Sequence, residues 1–212
     1  MVYNYLADSW QGLIQGLVDK VGHGYTHMCV SLYPSDKDPE TINKKLIRKY
    51  RCDTEKSKKC REHKKGAAVF TFIALDHQGI ILHTDGELPS YCDDRFQDVR
   101  ANPVRIIVGP WLAFTIAMED GTTVVRLSDR TINGMQERLS HALRTRKTAL
   151  VLEEYVKIDS IVAWRGVIHQ KAAIVRWLLG QARVNKVQLR RGDLPFNTLR
   201  EIVPVYKKAH KK

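Results

Sequence analysis

Hydrophobic and polar side chains alternate most regularly between residues 69 and 129, and this pattern predicts two β-hairpins. The first hairpin turns at residues 76–79 and the second at residues 119–121. Each turn contains an Asp and a Gly, which tight hairpin turns favour, and β-branched and aromatic residues fill the flanking strands. The predicted strand pairs are 70–75 with 80–85 and 113–118 with 122–127. We expect the rest of the fold to be organised around this sheet.

On both sides of the hairpins, apolar residues recur with a helical period. Residues 150–156 are apolar but too short to decide between strand and helix. Residues 51–66 lack apolar anchors and are predicted to form a basic loop that is either mobile or held by something other than packing. Trp164 and Trp177 are predicted to face inward from a long helix. The predicted helices run from Asp8 or Ser9 to about residue 22 and over 39–50, 131–144, 161–183 and 198–203, and two further strands cover 25–33 and 104–108.

Together these elements predict an α+β fold with a mainly antiparallel sheet built from the two β-hairpins, flanked by an N-terminal helix and a C-terminal helical region. Residues 1–157 are interpreted as the sheet domain, which carries a basic loop at 44–65. Residues 158–212 are interpreted as a basic helical region packed on that domain. A hydrophobic content of 43% is enough for a sizeable core.

Charge changes this picture because it is concentrated in two segments. The chain of 212 residues has a net charge of +12. Residues 44–65 hold 11 Lys and Arg against 3 Asp and Glu, residues 160–212 hold 12 against 2, and the remainder has a net charge of −6. Localised positive charge favours a polyanion partner, because each phosphate that it neutralises releases counterions. The alternative is that these are solvated helix faces that keep the protein soluble.

The partner predicted from this charge is a nucleic acid, with DNA preferred to RNA. The phosphate-binding candidates are Lys44, Lys45, Arg48, Lys58, Lys59 and Arg61 in the first segment, and Arg183, Lys186, Arg190 and Arg191 in the second. Arg165, Lys171 and Arg176 extend the second group along the predicted long helix. A protein-interaction module that docks an acidic partner through residues 44–65 remains an alternative.

One face of the first hairpin offers a second kind of nucleic-acid contact. If Leu75 pairs with Ile80, Phe72 faces His83, and Phe70 lies on the same side. Phe70, Phe72 and His83 would then form a platform on which unpaired bases stack, at roughly 1–3 kcal/mol per base. Alternatively, helices cover both faces of the sheet, and the two phenylalanines belong to the core.

A zinc site is a further possibility in the basic loop. Cys52, Cys60 and His63 have the residue types of such a site in a C-x7-C-x2-H spacing. A metal would order a loop that lacks a core of its own. A fourth ligand would come from Cys92, His77 or His83. The alternative is two free thiols, and no other cofactor is predicted.

Acidic and histidine side chains around the first hairpin are candidates for metal-dependent phosphodiester chemistry. His83 and Asp85 are the main ones, with Asp76, His77 and Glu87 nearby. A divalent metal held by such groups activates water and stabilises a leaving oxygen. The preferred interpretation is that these are turn and strand-end residues whose side chains bond to the backbone.

The predicted order strand, helix, strand, strand over residues 25–84 resembles, in topology, the core of rolling-circle replication initiators and relaxases. That resemblance implies a metal held by a His-x-His pair and a Tyr nucleophile on a later helix. The sequence contains no His-x-His, and the pair considered in its place is His77 and His83, six residues apart. Tyr155, preceded by two glutamates, is the position available for the nucleophile. Ferredoxin-like and RNA-recognition folds share the same order of elements.

No stretch matches a catalytic signature that names a reaction. The leading hypothesis is a non-enzymatic DNA-binding accessory or regulatory protein of a phage, plasmid or other mobile element. The alternative is a metal-dependent nuclease or a strand-transfer enzyme similar to replication initiators. The chain lacks a secretory signal and an apolar run of about 18 residues, and its four Cys do not make a disulfide framework. These features predict a cytoplasmic protein without a membrane partner.

Overall fold

A computed structural model describes residues 3–198 and 203–207 and confirms the α+β fold. The described residues form six α-helices, a short 3₁₀ helix and seven strands. The helices are α1 Trp10–Gly22, α2 Pro39–Lys49, α3 Lys56–Lys64, α4 Asp129–Arg144, α5 Thr148–Asp159 and α6 Arg165–Val184, and the 3₁₀ turn is Arg191–Asp193. The strands are β1 His27–Leu32, β2 Phe70–Leu75, β3 Gln78–His83, β4 Gln97–Asp98, β5 Val104–Ile107, β6 Ala113–Glu119 and β7 Thr122–Leu127.

The strands form two antiparallel sheets, with the orders β2-β3-β1-β4 and β5-β6-β7. The chain divides into two compact units, and the four-stranded sheet belongs to the first, whereas α4, α5 and α6 belong to the second. Unit 1 comprises Met1–Val104, Ile116–Thr123 and Val203–Lys212, and unit 2 comprises Arg105–Thr115 and Val124–Ile202. In the described part of the chain, no helix is both long and apolar enough to cross a lipid bilayer.

Both predicted hairpins are present, and their turns are tighter than the sequence suggested. In the second hairpin, Asp120 and Gly121 have φ angles of 49° and 70°, as a two-residue turn requires. In the first, only residues 76 and 77 lie between the strands, so Leu75 pairs with Gln78. The predicted pairing of Leu75 with Ile80 is therefore wrong by two residues. A slip of two leaves each side chain on its predicted face.

Side-chain capping begins three of the helices, α1, α2 and α4. The Ser9 hydroxyl accepts the Gly12 N–H at 3.1 Å and begins α1, and Asp38 caps α2 in the same way through Thr41. Ser128, which the periodicity did not single out, caps α4. Residues 150–156, which were ambiguous from sequence, belong to α5. Most of the helix predicted at 198–203 lies outside the described residues.

The prediction of a loop at 51–66 is wrong, because α3 occupies most of this segment. Cys52, just before it, is fully buried. The Lys59 ammonium donates to the carbonyl oxygens of Cys52 and Phe70, each at 2.7 Å. These contacts tie a helix without a buried residue of its own to the edge of β2. The anchor is a hydrogen-bonded lysine, which a search for apolar positions misses.

Three sets of hydrogen bonds satisfy the backbone groups on the outer edge of β2, and the bond from Lys59 to Phe70 is the first. The Tyr3 hydroxyl donates to the Phe72 carbonyl at 3.1 Å and accepts the Phe72 N–H at 2.8 Å. Further along, the Ala74 N–H donates to Tyr5, and its carbonyl accepts the Ala7 N–H, both at 2.8 Å. An open strand edge would present unpaired backbone groups to other chains. Side chains and the N-terminal segment therefore replace a neighbouring strand.

We expect Lys59→Met to destabilise unit 1 by about 1–3 kcal/mol, because it keeps the apolar stem but leaves two carbonyl groups without their donor. Urea unfolding followed by circular dichroism would measure the change. The matched control is Lys58→Met, one residue away and exposed, for which we expect a change within about 0.5 kcal/mol. Equal losses in both variants would contradict the anchoring role of Lys59.

Candidate nucleic-acid interface

The basic residues predicted in the first segment do not share one environment. Lys45, Arg48, Lys58 and Arg61 are exposed on α2 and α3. Lys44 is also exposed and forms an ion pair with Glu40 at 2.5 Å. Lys59 points inward to backbone carbonyls, and its prediction as a phosphate contact is wrong. Burial lowers its pKa, which is a further cost of using this ammonium as a backbone donor.

In the second segment, α6 places four of its basic residues on one exposed face. Arg165, His169, Arg176 and Arg183 are all exposed. Their spacings of four, seven and seven residues place them in one stripe along a helix with 3.6 residues per turn. We call these four residues the basic stripe. No Asp or Glu occurs between positions 159 and 193, so the stripe contains no acid to offset it.

Packing fixes which way the basic stripe faces. A Cβ added at Gly166 would lie 2.3 Å from the Val125 carbonyl oxygen, so the start of α6 lies directly against the backbone of β7. Further along the buried face, Val167, Ile174 and Leu178 are almost completely covered. The opposite face is therefore left to solvent, and the stripe lies on it.

Lys171, from the extended group of phosphate candidates, lies on the buried side of α6 and was predicted wrongly. Its ammonium donates to the carbonyl oxygens of Asp159 and Ile161, each at 2.5 Å. The Asp159 carboxylate lies 3.7 Å away and also accepts the Asn197 N–H at 3.0 Å. This lysine joins α6 to the end of α5 and is unavailable to a ligand.

The remaining candidates follow α6 in the chain, and Lys186, Arg190 and Arg191 are all exposed. Arg191 is held in place, because its guanidinium donates to the Leu194 carbonyl at 2.8 Å and lies over the Phe196 ring at 5.1 Å. The three arginines of the basic stripe and these three residues give unit 2 six cations. Arg190 and Arg191 lie at a short 3₁₀ turn that holds this segment.

The base-stacking platform predicted on the first hairpin is wrong. Phe70, Phe72 and His83 are 4%, 0% and 3% exposed. They do share one face of the sheet, but Tyr50, just after α2, covers Phe70, and Phe96 meets the His83 ring at 4.6 Å between centroids. The alternative interpretation, in which these aromatic residues are core, describes the structure.

The zinc site predicted from Cys52, Cys60 and His63 is also wrong. Cys52 is buried in the core, whereas Cys60 and His63 are exposed on α3. Burial raises the pKa of Cys52 to about 12, so its thiol stays protonated and is a poor ligand. Within residues 3–198 and 203–207, no group of three His, Cys, Asp or Glu side chains is arranged to hold a metal.

The catalytic candidates His83 and Asp85 lie in a network centred on Arg100. The Arg100 guanidinium donates to both oxygens of Asp85 at 2.7 Å and to both oxygens of Asp98 at 2.9 Å. His27 lies between His83 and Asp98. Its ring stacks on the His83 ring at 4.5 Å between centroids, and its Nε2 lies 3.8 Å from an Asp98 carboxylate oxygen. The carboxylates are thus neutralised by an arginine, which is the arrangement of a structural clamp.

Tyr155, the candidate nucleophile, is fully buried in unit 2. Its hydroxyl donates to the Pro195 carbonyl at 2.9 Å. Burial raises its pKa to about 12, so the phenolate needed for attack is disfavoured. The structure therefore gives Tyr155 a packing role.

No protein-family model matches this chain, and neither a curated protein nor a solved structure matches it significantly. Sequence reasoning found the cations of the basic stripe but could not separate them from the inward lysines at 59 and 171. The separating signal is position on the helix, because Lys171 lies about 140° from Arg176.

We expect the free energy of unfolding to fall between pH 7 and 5 because of His83. Burial, and then the neighbouring His27, lowers the pKa of His83 below its ordinary 6.5. Below that value the unfolded chain binds a proton that the folded protein resists, so stability decreases. Urea unfolding at several pH values would show this slope. Arg100 lowers the pKa values of Asp85 and Asp98. These two carboxylates therefore change the free energy of unfolding only near about pH 4, below the window of His83.

The same series on His83→Phe should be flatter in this window, since the substituted ring cannot titrate. His77→Gln, at an exposed turn, serves as the control and should keep the wild-type slope. A wild-type curve as flat as that of His83→Phe would show that His83 titrates alike in both states.

Proposed function

We propose that this protein binds nucleic acid, and that its main contact surface is the basic stripe of α6 together with Lys186, Arg190 and Arg191. The observation that carries the proposal is the stripe itself: an exposed helix face whose charged residues are all basic, in a stretch of chain without acids. Solvated surface helices usually mix both signs of charge, which favours solubility without attracting polyanions.

The geometry of the stripe suits a phosphate backbone. Successive members seven residues apart are about 10 Å apart along the helix axis. Ala173 and Gly180 are the exposed residues between them, so no bulky side chain holds a ligand away from the helix. Long arginine side chains can then donate to phosphate oxygens in a bidentate manner. Contacts of this kind position a nucleic acid without reading its sequence, as an accessory or regulatory DNA-binding protein requires.

Unit 1 contributes a second group of cations. Four of these cations are exposed and belong to the solvent-facing sides of α2 and α3: Lys45, Arg48, Lys58 and Arg61. On unit 1 these cations attract phosphates in the same sequence-independent way. The Arg100 clamp and the buried Tyr155 supply no reason to prefer a nuclease or strand transferase.

We expect binding to a labelled DNA oligonucleotide to weaken steeply as salt rises from about 50 to 200 mM, because condensed counterions are released on binding. Arg176→Glu and Arg183→Glu should each weaken binding and reduce the slope of log affinity against log salt by about 1. Fluorescence anisotropy across a salt series measures both quantities.

Lys37→Glu is the matched control, since it changes net charge equally but lies on an exposed turn between Asp36 and Asp38. It should bind as the wild type does. Wild-type affinity in both arginine variants, or an equal loss in the control, would overturn the assignment of the stripe.

A further inference from the structure

A groove runs along the exposed face of α4 in unit 2, where neither the basic stripe nor the sequence candidates lie. It consists of two adjoining hollows of about 600 and 520 Å³ that share Asn133 and Glu137. Trp177 of α6 lines the first hollow, and Trp111, just before β6, lines the second. Each hollow thus combines one indole ring with polar side chains of α4.

Trp111 is an exposed aromatic residue held in a fixed position. It is 55% exposed, which is unusual for a tryptophan. The Arg138 guanidinium lies over its ring at 5.1 Å from the centroid, and Glu154 holds Arg138 at 3.5 Å. A cation therefore supports one side of the indole, while more than half of the residue faces solvent. The other face of the ring is therefore open to an aromatic partner.

Trp177 connects the groove to the basic stripe. It was predicted to face inward, and it is in fact half-buried at the wall of the first hollow. It follows Arg176 in the chain, so the two side chains leave α6 about 100° apart. The basic stripe and the Trp177 indole thus occupy neighbouring sectors of α6. A ligand bound to the stripe would lie next to the indole.

The side chains of α4 between the two indoles suit base edges better than phosphates. Asn133 and Gln136 offer amides that can donate and accept hydrogen bonds. Glu137 would repel a phosphate but can accept from an exocyclic amino group. Arg130 and Arg144 lie near the two ends of this face, about 21 Å apart along the helix. No other Lys or Arg of the described chain lines the two hollows, since Arg138 lies over Trp111 and pairs with Glu154. This arrangement favours bases rather than backbone against α4.

We propose that the α4 groove binds single-stranded nucleic acid and stacks unpaired bases on Trp111 and Trp177. The proposal rests on the nucleic-acid binding proposed above and names its substrate class. Bases in a duplex are stacked on their neighbours and present only their edges, so an indole platform selects unpaired strands. Stacking on aromatic side chains tolerates any sequence, in keeping with the phosphate contacts of the stripe.

The test compares a single-stranded oligonucleotide with a duplex of the same length, as DNA and as RNA, at one salt concentration. Trp111→Ala and Trp177→Ala should each weaken single-strand binding about 5- to 150-fold and leave duplex binding within about twofold. Trp111→Phe and Trp177→Phe keep an aromatic ring and should retain part of the affinity. Circular dichroism confirms that each variant is folded.

Tryptophan fluorescence gives a second readout, because stacking of a base quenches an indole. Quenching by the single strand should exceed quenching by the duplex and should decrease in each alanine variant. If the wild type binds both ligands but the alanine variants bind the single strand normally, the groove proposal fails and the stripe stands. If the wild type binds neither, both fail. If Arg176→Glu weakens both ligands while the alanine variants weaken only the single strand, both are supported.

Discussion

The constraint on which the structure of unit 1 depends is the open edge of β2. Lys59, Tyr3 and the backbone of Tyr5 and Ala7 supply the hydrogen bonds that a missing strand would give. Because backbone groups left without partners are costly, a lysine from a very basic helix is diverted to this edge. Unit 2 uses the same device, since Lys171 satisfies two carbonyls at the end of α5.

This use of lysine changes how the positive charge of the chain is interpreted. A net charge of +12 suggests a uniformly cationic protein, but its cations have different tasks. Lys59 and Lys171 stabilise the fold, and Arg100 neutralises two aspartates. Which of the other cations can reach a ligand depends on the helix face that carries them. On α6 the contact of Gly166 with β7 leaves the arginines facing solvent. The cationic surface is therefore smaller than composition implies, but better ordered.

Local chemistry made the hairpins, the capped starts of α1 and α2, and the α+β class predictable from sequence. The register of the first hairpin was missed because it depends on turn length, and α3 was missed because its anchor is a tertiary hydrogen bond. Burial of Phe70, Phe72 and His83 depends on α2 and Phe96, which are distant in sequence. Trp111 was overlooked, although a tryptophan following Gly109-Pro110 in a loop was a signal of exposure.

The two proposals for unit 2 are linked by the shape of a polynucleotide. Such a chain has charge on one side and aromatic bases on the other, so a protein that holds a single strand needs both surfaces side by side. On α6 the basic stripe and Trp177 occupy adjacent sectors, and beyond Trp177 lies the amide-bearing face of α4. If the phosphates of a bound single strand lay along the basic stripe, its bases would point towards α4. A merely soluble helix would need the charges but not the indoles beside them.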